Sequence, residues 1–330
     1  PCACAGAEAF ARAGVRILAA AGCDALVFGA ETPDAALLME AARVLCSADY
    51  RAALQQQLAC GARSFAAARQ AAVEAVRPGT ALAALLDKPN NNLAVEYCKA
   101  ILEQDAPLTP VPLPRQGAHH GQALTESGHA RFASASALRT LWAEGGAAAL
   151  APYVPEKTLE LYKRAEYDEM YTDFAVMGRC ELTLLRAACA GPQPFAQVRG
   201  VSEGLEHRLE NAVRRCTTLP QLLDELTTVR YPRARMRRLA MDAALGFTVQ
   251  AVPALPPYLH LLGARREALG LLKDTALPAS HSLARLERQD DACARMVQAQ
   301  AKAADFGALC RKMPAPMGEV YRQKIIFLTN

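Results

Sequence analysis

The sequence predicts an α/β fold with a parallel sheet over its first 150 or so residues, followed by a mainly helical half. Three observations predict it. Alanine is abundant and β-branched residues are sparse over long stretches, which favours helix because alanine has the highest helix propensity. Helical and strand patterns alternate up to about residue 150, as they do where helices cover a parallel sheet. After Pro152 the alternation stops, and helical periodicity dominates from Lys157 to Arg238. The predicted division is 1–152 and 153–330.

Residues 7–21 place Phe10, Ala13, Gly14, Ile17, Leu18 and Ala21 at helical spacing, and Gly22 closes the helix. The run DALVFG at 24–29 predicts a buried parallel strand. Thr32-Pro33-Asp34 opens the next helix, a cap-type residue followed by proline in the first turn. Helical pattern then continues, with breaks, to Val76 and ends at Pro78-Gly79. Residues 88–92 predict a polar turn, and 93–104 a helix. Residues 108–113 look extended, but Pro110, Pro112 and Pro114 confine the segment to an edge or a loop. Residues 115–132, rich in Gly and His, predict a loop, and 134–142 a helix. Residues 325–328 predict a last strand.

With 330 residues, 52% of them hydrophobic, the chain can bury one large core or two ordinary ones. Its 11 cysteines are scattered, with no CxxC pair, which argues against a zinc site or a disulfide framework and for a reducing compartment. No apolar run is long enough to span a membrane and no signal peptide is evident, so the expected location is the cytoplasm. The formal charge of +4 does not by itself indicate nucleic acid, and the distribution of charge has to decide. Pro1 stands where a start Met would, and the helical pattern is running by Ala7, which reads as a chain that lacks its beginning.

Four segments carry chemistry. In KPNNNLAVEY at 88–97, one Asn suffices for an N-cap. Three in a row add amides able to read an adenine edge or a ribose. In FASASALR at 132–139, small hydroxyl residues precede a helix with Arg139 one turn in. That arrangement suits phosphate, although a Ser cap beside a solvated Arg is the plainer reading. In PRQGAHHG at 114–121, Arg115 on a Gly-rich loop can clamp phosphate. His119 and His120 have no carboxylate or thiol at ligand spacing and read as surface. In RYPRARMRR at 230–238, five arginines in nine residues surround Tyr231 with no acidic residue among them. An Arg-dense run with an aromatic suits an RNA backbone and a splayed base, whereas the bland alternative is a solvated face.

In this order, KPNNNLAVEY, FASASALRTLW at 132–142, YVPEKT at 153–158, SEGLEHRLENAVRR at 202–215, RYPRARMRRLAM at 230–241 and YLHLLGARREALGLL at 258–272 resemble the tRNA(Met) cytidine acetate ligase family. AEAFARAGVRIL at 7–18 and LVFGAE at 26–31 extend the resemblance over nearly the whole chain. The resemblance implies an incomplete Rossmann-like nucleotidyltransferase domain, lacking its HxGH unit, followed by a mainly helical tRNA-binding domain. It implies that ATP, normally with Mg²⁺, and acetate form acetyl-adenylate, and that the acetyl group passes to the wobble cytidine of elongator tRNA(Met). Neither DNA nor a membrane is an expected partner.

By resemblance, Ala13, Gly14, Asn90, Asn91, Arg115, Ser134, Ser136 and Arg139 hold the nucleotide, and Arg208, Arg214, Arg215, Arg230, Arg233, Arg235, Arg237 and Arg238 bind tRNA. Two departures stand out. The HxGH motif is expected ahead of residue 1, so the stretch alone is expected to be inactive, with no catalytic residue of its own. The family pattern F-A-x-G-A-V reads FARAGV here, with Ala13 at the glycine position and Gly14 one later. An added methyl there would crowd a ligand approaching the backbone. The alternative is a non-catalytic RNA-binding protein descended from the family. A helical interaction protein would need neither the Asn motif nor SASALR.

Overall fold

The computed structural model describes residues 1–62, 64–115, 125–127, 130–202 and 204–328. Helix α1 (Ala7–Ala20) buries Ala11, Ala13, Val15 and Ala20. It ends as the sequence predicts. Gly22 turns at φ +79, and the Cys23 N–H returns to the Leu18 carbonyl at 3.0 Å.

Strand β1 (Ala25–Ala30) corrects the expectation of a fully buried strand. Leu26, Phe28 and Ala30 face the core while Ala25, Val27 and Gly29 face out. Helices thus cover one face of β1, and its residues alternate accordingly. Helix α2 (Ala35–Cys46) also starts later than predicted. Asp34 is its cap, accepting from the Leu37 N–H at 3.0 Å. Thr32 is committed elsewhere, to Asn91.

Helices α3 (Ala48–Ala59) and α4 (Phe65–Val76) start at the serine caps Ser47 and Ser64, and α5 (Leu82–Leu85) follows. Helix α6 (Pro89–Glu103) overturns the predicted polar turn, because Asn90, Asn91 and Asn92 form its first turn. Proline at the first position has no N–H to satisfy. The next two N–H groups find an acceptor in Glu31, a partner 59 and 60 residues away that no local pattern reveals.

Strand β2 (Thr109–Pro114) pairs with β1 in parallel, with Ala25 opposite Thr109 and Ala30 opposite Pro114. The N–H groups of Thr109 and Arg115 donate to the Asp24 and Ala30 carbonyls at 2.8 and 3.1 Å. By the two-residue repeat of a strand, Pro110, Pro112 and Pro114 then place their missing donors on the opposite edge, where no ladder bond is lost. Part of the predicted loop 115–132 is instead an antiparallel hairpin, β3 (Thr125–Ser127) with β4 (Ala130–Phe132). His119 and His120 lie outside the described residues.

Helix α7 (Ala135–Gly145) is capped by Ser134. Helices α8 (Glu156–Tyr167), α9 (Phe174–Ala188), α10 (Leu205–Arg215), α11 (Leu219–Leu226) and α12 (Arg233–Ala244) bear out the helical second half. Beyond them lie β5 (Leu259–His260), β6 (Gly263–Ala264), β7 (Ala279–Ser280), α13 (Leu283–Glu287), α14 (Asp291–Leu309), α15 (Glu319–Arg322) and β8 (Ile326–Phe327). Strand β8, at the predicted place, pairs with β6 in parallel.

One core joins α1, β1, α2 and α6 through residues such as Val15, Phe28, Leu38 and Val95, while a second joins α9 to α12 through Leu185, Leu209, Leu226 and Met236. A third collects Phe247, Leu283, Leu286 and Val297, with Cys2 packed against it. The first two cores leave residues 109–181 between them, and within that interval we propose that the chain divides near residue 153. Among the described residues no helix is long and apolar enough to cross a membrane.

Glu181 on α9 is 3% exposed. Burial pushes its carboxyl up to about 7, against the pull of Arg237. The folded state therefore holds this proton more tightly than the unfolded chain does. The stability it contributes is complete below about 4.5 and is lost as pH rises through about 7. We expect Glu181→Gln to raise stability at pH 8 by roughly 2 kcal/mol and to change little at pH 5. Urea melts at the two pH values check this. An unchanged gap between them would count against the assignment.

Candidate functional site

In an open parallel sheet, ligands gather beyond the carboxyl ends of the strands. Here β1 ends at Ala30 and β2 at Pro114, so Glu31 and Arg115 are the first residues past the sheet. The α6 N-terminus arrives at the same point. Glu31 accepts from the Asn90 Nδ2 at 2.6 Å, the Asn90 N–H at 3.3 Å and the Asn91 N–H at 2.7 Å. Asn90 Oδ1 in turn accepts from Arg115 Nη1 at 2.8 Å. The exposed face of β1 makes room for that arginine. A Cβ at Gly29 would stand 3.4 Å from the Arg115 Cγ, a full van der Waals contact.

The charges are ordered to match. Burial raises the Glu31 carboxyl, but the Asn90 amide and the N–H groups of Asn91 and Asn90 more than offset it, holding the group below the usual carboxylate range. An ionised Glu31 sits at the positive end of α6. Arg115 leaves donors free of Asn90, on an exposed side chain, for a ligand anion.

The other predicted nucleotide residues fall differently. Asn91 is 1% exposed, with its amide turned to Thr32. Its Oδ1 accepts from the Thr32 N–H at 2.9 Å and its Nδ2 donates to the Thr32 hydroxyl at 3.0 Å. It fastens α6 to the end of β1 and has no free end for a ligand. Asn92 bonds the Leu86 and Lys88 carbonyls. Ala13 is buried in α1, and a Cβ on Gly14 would meet the Tyr97 ring at 3.7 Å. Both are packing positions in this arrangement, since Tyr97 lies against Phe28.

Ser134 is spent as the cap of α7, accepting from the Ala137 N–H at 3.2 Å. Ser136 and Arg139 are exposed and 3.4 Å apart, oxygen to nitrogen. Glu31 and Gly29 are the residues that sequence reasoning missed. The signal was there in LVFGAE, an acidic residue directly after an apolar run, but its target lies far along the chain.

The arginine-rich half is more tightly tied than its sequence predicts. Tyr231 is 8% exposed and belongs to the core of α9 to α12, so it offers no platform for a base. Arg235 instead lies 5.1 Å over its ring. Arg233 pairs with Asp224 of α11, and Arg215 with Glu225. Arg208 bonds the Glu225 carbonyl at 2.7 Å and Arg214 bonds Glu210 at 2.7 Å. The run lacks acidic residues of its own, but neighbouring helices bring them. Arg214, Arg215, Arg230, Arg233 and Arg237 are exposed, whereas Arg208, Arg235 and Arg238 are half-buried. Among the described residues no group of three or more His, Cys, Asp or Glu is placed to hold a metal ion.

A model of the HIGH nucleotidyl transferase family matches residues 1–319. The chain is 28% identical over 277 residues to the tRNA(Met) cytidine acetate ligase of Caldanaerobacter subterraneus subsp. tengcongensis, covering 81% of this chain and 66% of that protein. It is also 28% identical over 328 residues to the protein of the same name from Syntrophomonas wolfei, covering 93% and 77%. The chain thus spans just under two thirds of the first of these relatives. The crystal structure of apo Thermotoga maritima TmcAL superposes with a TM-score of 0.86 at 25% identity, covering 98% of this chain and 82% of that one. The same protein bound with alpha-thio ATP superposes at 0.83 with 22% identity, which shows the shared fold.

Proposed function

The chain belongs to the HIGH nucleotidyl transferase family, and from that premise we propose that it serves an ATP-dependent ligase that acetylates tRNA(Met). The observation that carries the reading is the meeting of Glu31, Asn90 and Arg115 beyond the strand ends, in a chain whose relatives bear that ligase's name. In the proposed reaction, acetate attacks the ATP α-phosphate in line. The bond to pyrophosphate breaks and acetyl-adenylate forms. The exocyclic amine of the wobble cytidine in elongator tRNA(Met) then takes the acetyl group, and AMP leaves.

The first step asks the protein for positioning and charge neutralisation. Asn90 would orient the nucleoside and Arg115 would meet a phosphate. Ser136 and Arg139, exposed at the start of α7, would supply a second anion contact. Mg²⁺ would enter on the phosphates. Such an enzyme works where tRNA is, in the cytoplasm.

The exposed arginines of α10 to α12 would meet the tRNA backbone. Reversing Arg233 and Arg237 together is expected to weaken tRNA binding and to lower the slope of log affinity against log salt by roughly 1–2 units. Filter binding across a salt series measures it, and an unchanged slope would remove these residues from the interface.

Acetate-dependent exchange of pyrophosphate into ATP, assayed on the protein that contains this chain, tests the function. Exchange that requires acetate supports the ligase. Tight tRNA binding without exchange favours the non-catalytic RNA-binding reading.

A further inference from the structure

We propose that Glu31 is a positioning residue of the nucleotide site, fixing the Asn90 amide so that the site presents a hydrogen-bond acceptor beside the Arg115 guanidinium. This rests on the nucleotide-binding reading above and adds a residue and a ligand requirement to it.

An ionised carboxylate only accepts hydrogen bonds, whereas an amide has a donor end and an acceptor end. Glu31 Oε1 takes the Asn90 Nδ2 at 2.6 Å and its N–H at 3.3 Å, and Oε2 takes the Asn91 N–H at 2.7 Å. The Asn90 NH₂ must therefore turn toward Glu31, which leaves Oδ1 on the side of Arg115. The hydrogen bonds that Glu31 accepts keep it ionised, so this polarity holds at neutral pH. A neutral amide at position 31 would cancel the rule, because either end of Asn90 would then find a partner.

Two consequences follow for the ligand. The first free N–H groups of α6 are already satisfied by Glu31, so a phosphate is met by Arg115 and not by the helix end. Asn90 Oδ1 keeps a second lone pair beside the one that Arg115 occupies, and that lone pair calls for a donor from the ligand. A nucleotide carries such donors in the purine exocyclic amine and in the ribose hydroxyls.

The test is calorimetric titration with ATP of the protein that contains this chain, for the wild type, Glu31→Gln, Asn90→Ala and the double variant, with a thermal melt of each. Glu31→Gln is expected to weaken ATP roughly ten-fold when Asn90 is present. In the Asn90→Ala background the same change is expected to cost less than about two-fold, because the two residues act as one unit. The melts should show the same loss of the α6 cap in both backgrounds. Equal losses of affinity in both backgrounds, or none in either, would make Glu31 a helix cap alone and overturn the proposal.

ITP, 2′-deoxy-ATP and 3′-deoxy-ATP on the wild type identify the donor. Weaker ITP assigns it to the base amine, and a weaker deoxy analogue to the ribose. Full affinity for all three overturns the ligand requirement. Failure of the wild type to bind ATP would instead strike at the nucleotide reading itself.

Discussion

Replacing Arg115 with alanine is expected to lower the affinity for ATP by ten- to a hundred-fold, roughly 1.5–3 kcal/mol, the worth of a hydrogen bond to a charged partner. The estimate is high for an exposed arginine because this one is placed. Its backbone N–H is tied to the Ala30 carbonyl at 3.1 Å and its Nη1 to Asn90 at 2.8 Å. Less ordering entropy is then lost on binding. Arg115→Lys should recover part of the loss, since it returns the charge without the planar fork. Gly29→Ala, whose added methyl would only reach van der Waals contact with the Arg115 stem, is expected to change affinity little. Calorimetric titration measures all three. Affinity unchanged in Arg115→Ala would remove the residue from the site.

Asp242→Ala is expected to destabilise the fold by about 2–3 kcal/mol, less than the loss of a fully buried pair, because it leaves a half-buried guanidinium without its counter-charge. Asp242 is 4% exposed and holds Arg199 through two bonds, Nε to Oδ2 at 2.6 Å and Nη2 to Oδ1 at 2.7 Å. Arg199 also lies 5.3 Å over the Phe247 ring, and its N–H donates to the Phe247 carbonyl at 3.0 Å. The pair thus joins α12 to the segment before α10 and to the third core. Asp242→Asn, which keeps one acceptor, should cost less. Urea denaturation of the three proteins checks the order. A loss below about 1 kcal/mol for the alanine variant would show that Arg199 finds another partner.

Much of this molecule was legible in its sequence wherever the signal was local. Gly22 as a helix stop, Ser134 as a cap and the three prolines of β2 as an edge device all follow from backbone chemistry within a few residues. The expectations that failed depend on distant partners. Asn90 to Asn92 read as a turn because nothing near them announces Glu31, which makes a helix start there favourable. Thr32 read as a cap because its commitment to Asn91 is invisible along the chain.

The site divides in the same way. Asn90 and Arg115 stood out by residue type and motif, and the fold brings them within a hydrogen bond of each other. Asn91 looked equivalent to Asn90 in sequence, but one step around the helix turns its amide into the protein. Tyr231 among arginines suggested base stacking, but its burial against α9 to α12 is a packing outcome that composition cannot show. Arg215 and Arg233 looked unpaired because their acidic partners, Glu225 and Asp224, sit on α11, the helix between the two arginine segments.

Hydrogen–deuterium exchange with and without saturating ATP tests most directly whether nucleotide binds beyond the ends of β1 and β2. Protection is expected in the peptides that hold residues 29–32, 89–92 and 113–115, and it should vanish in Arg115→Ala. Protection confined to other segments, or unchanged exchange at these three under saturation, would contradict the account.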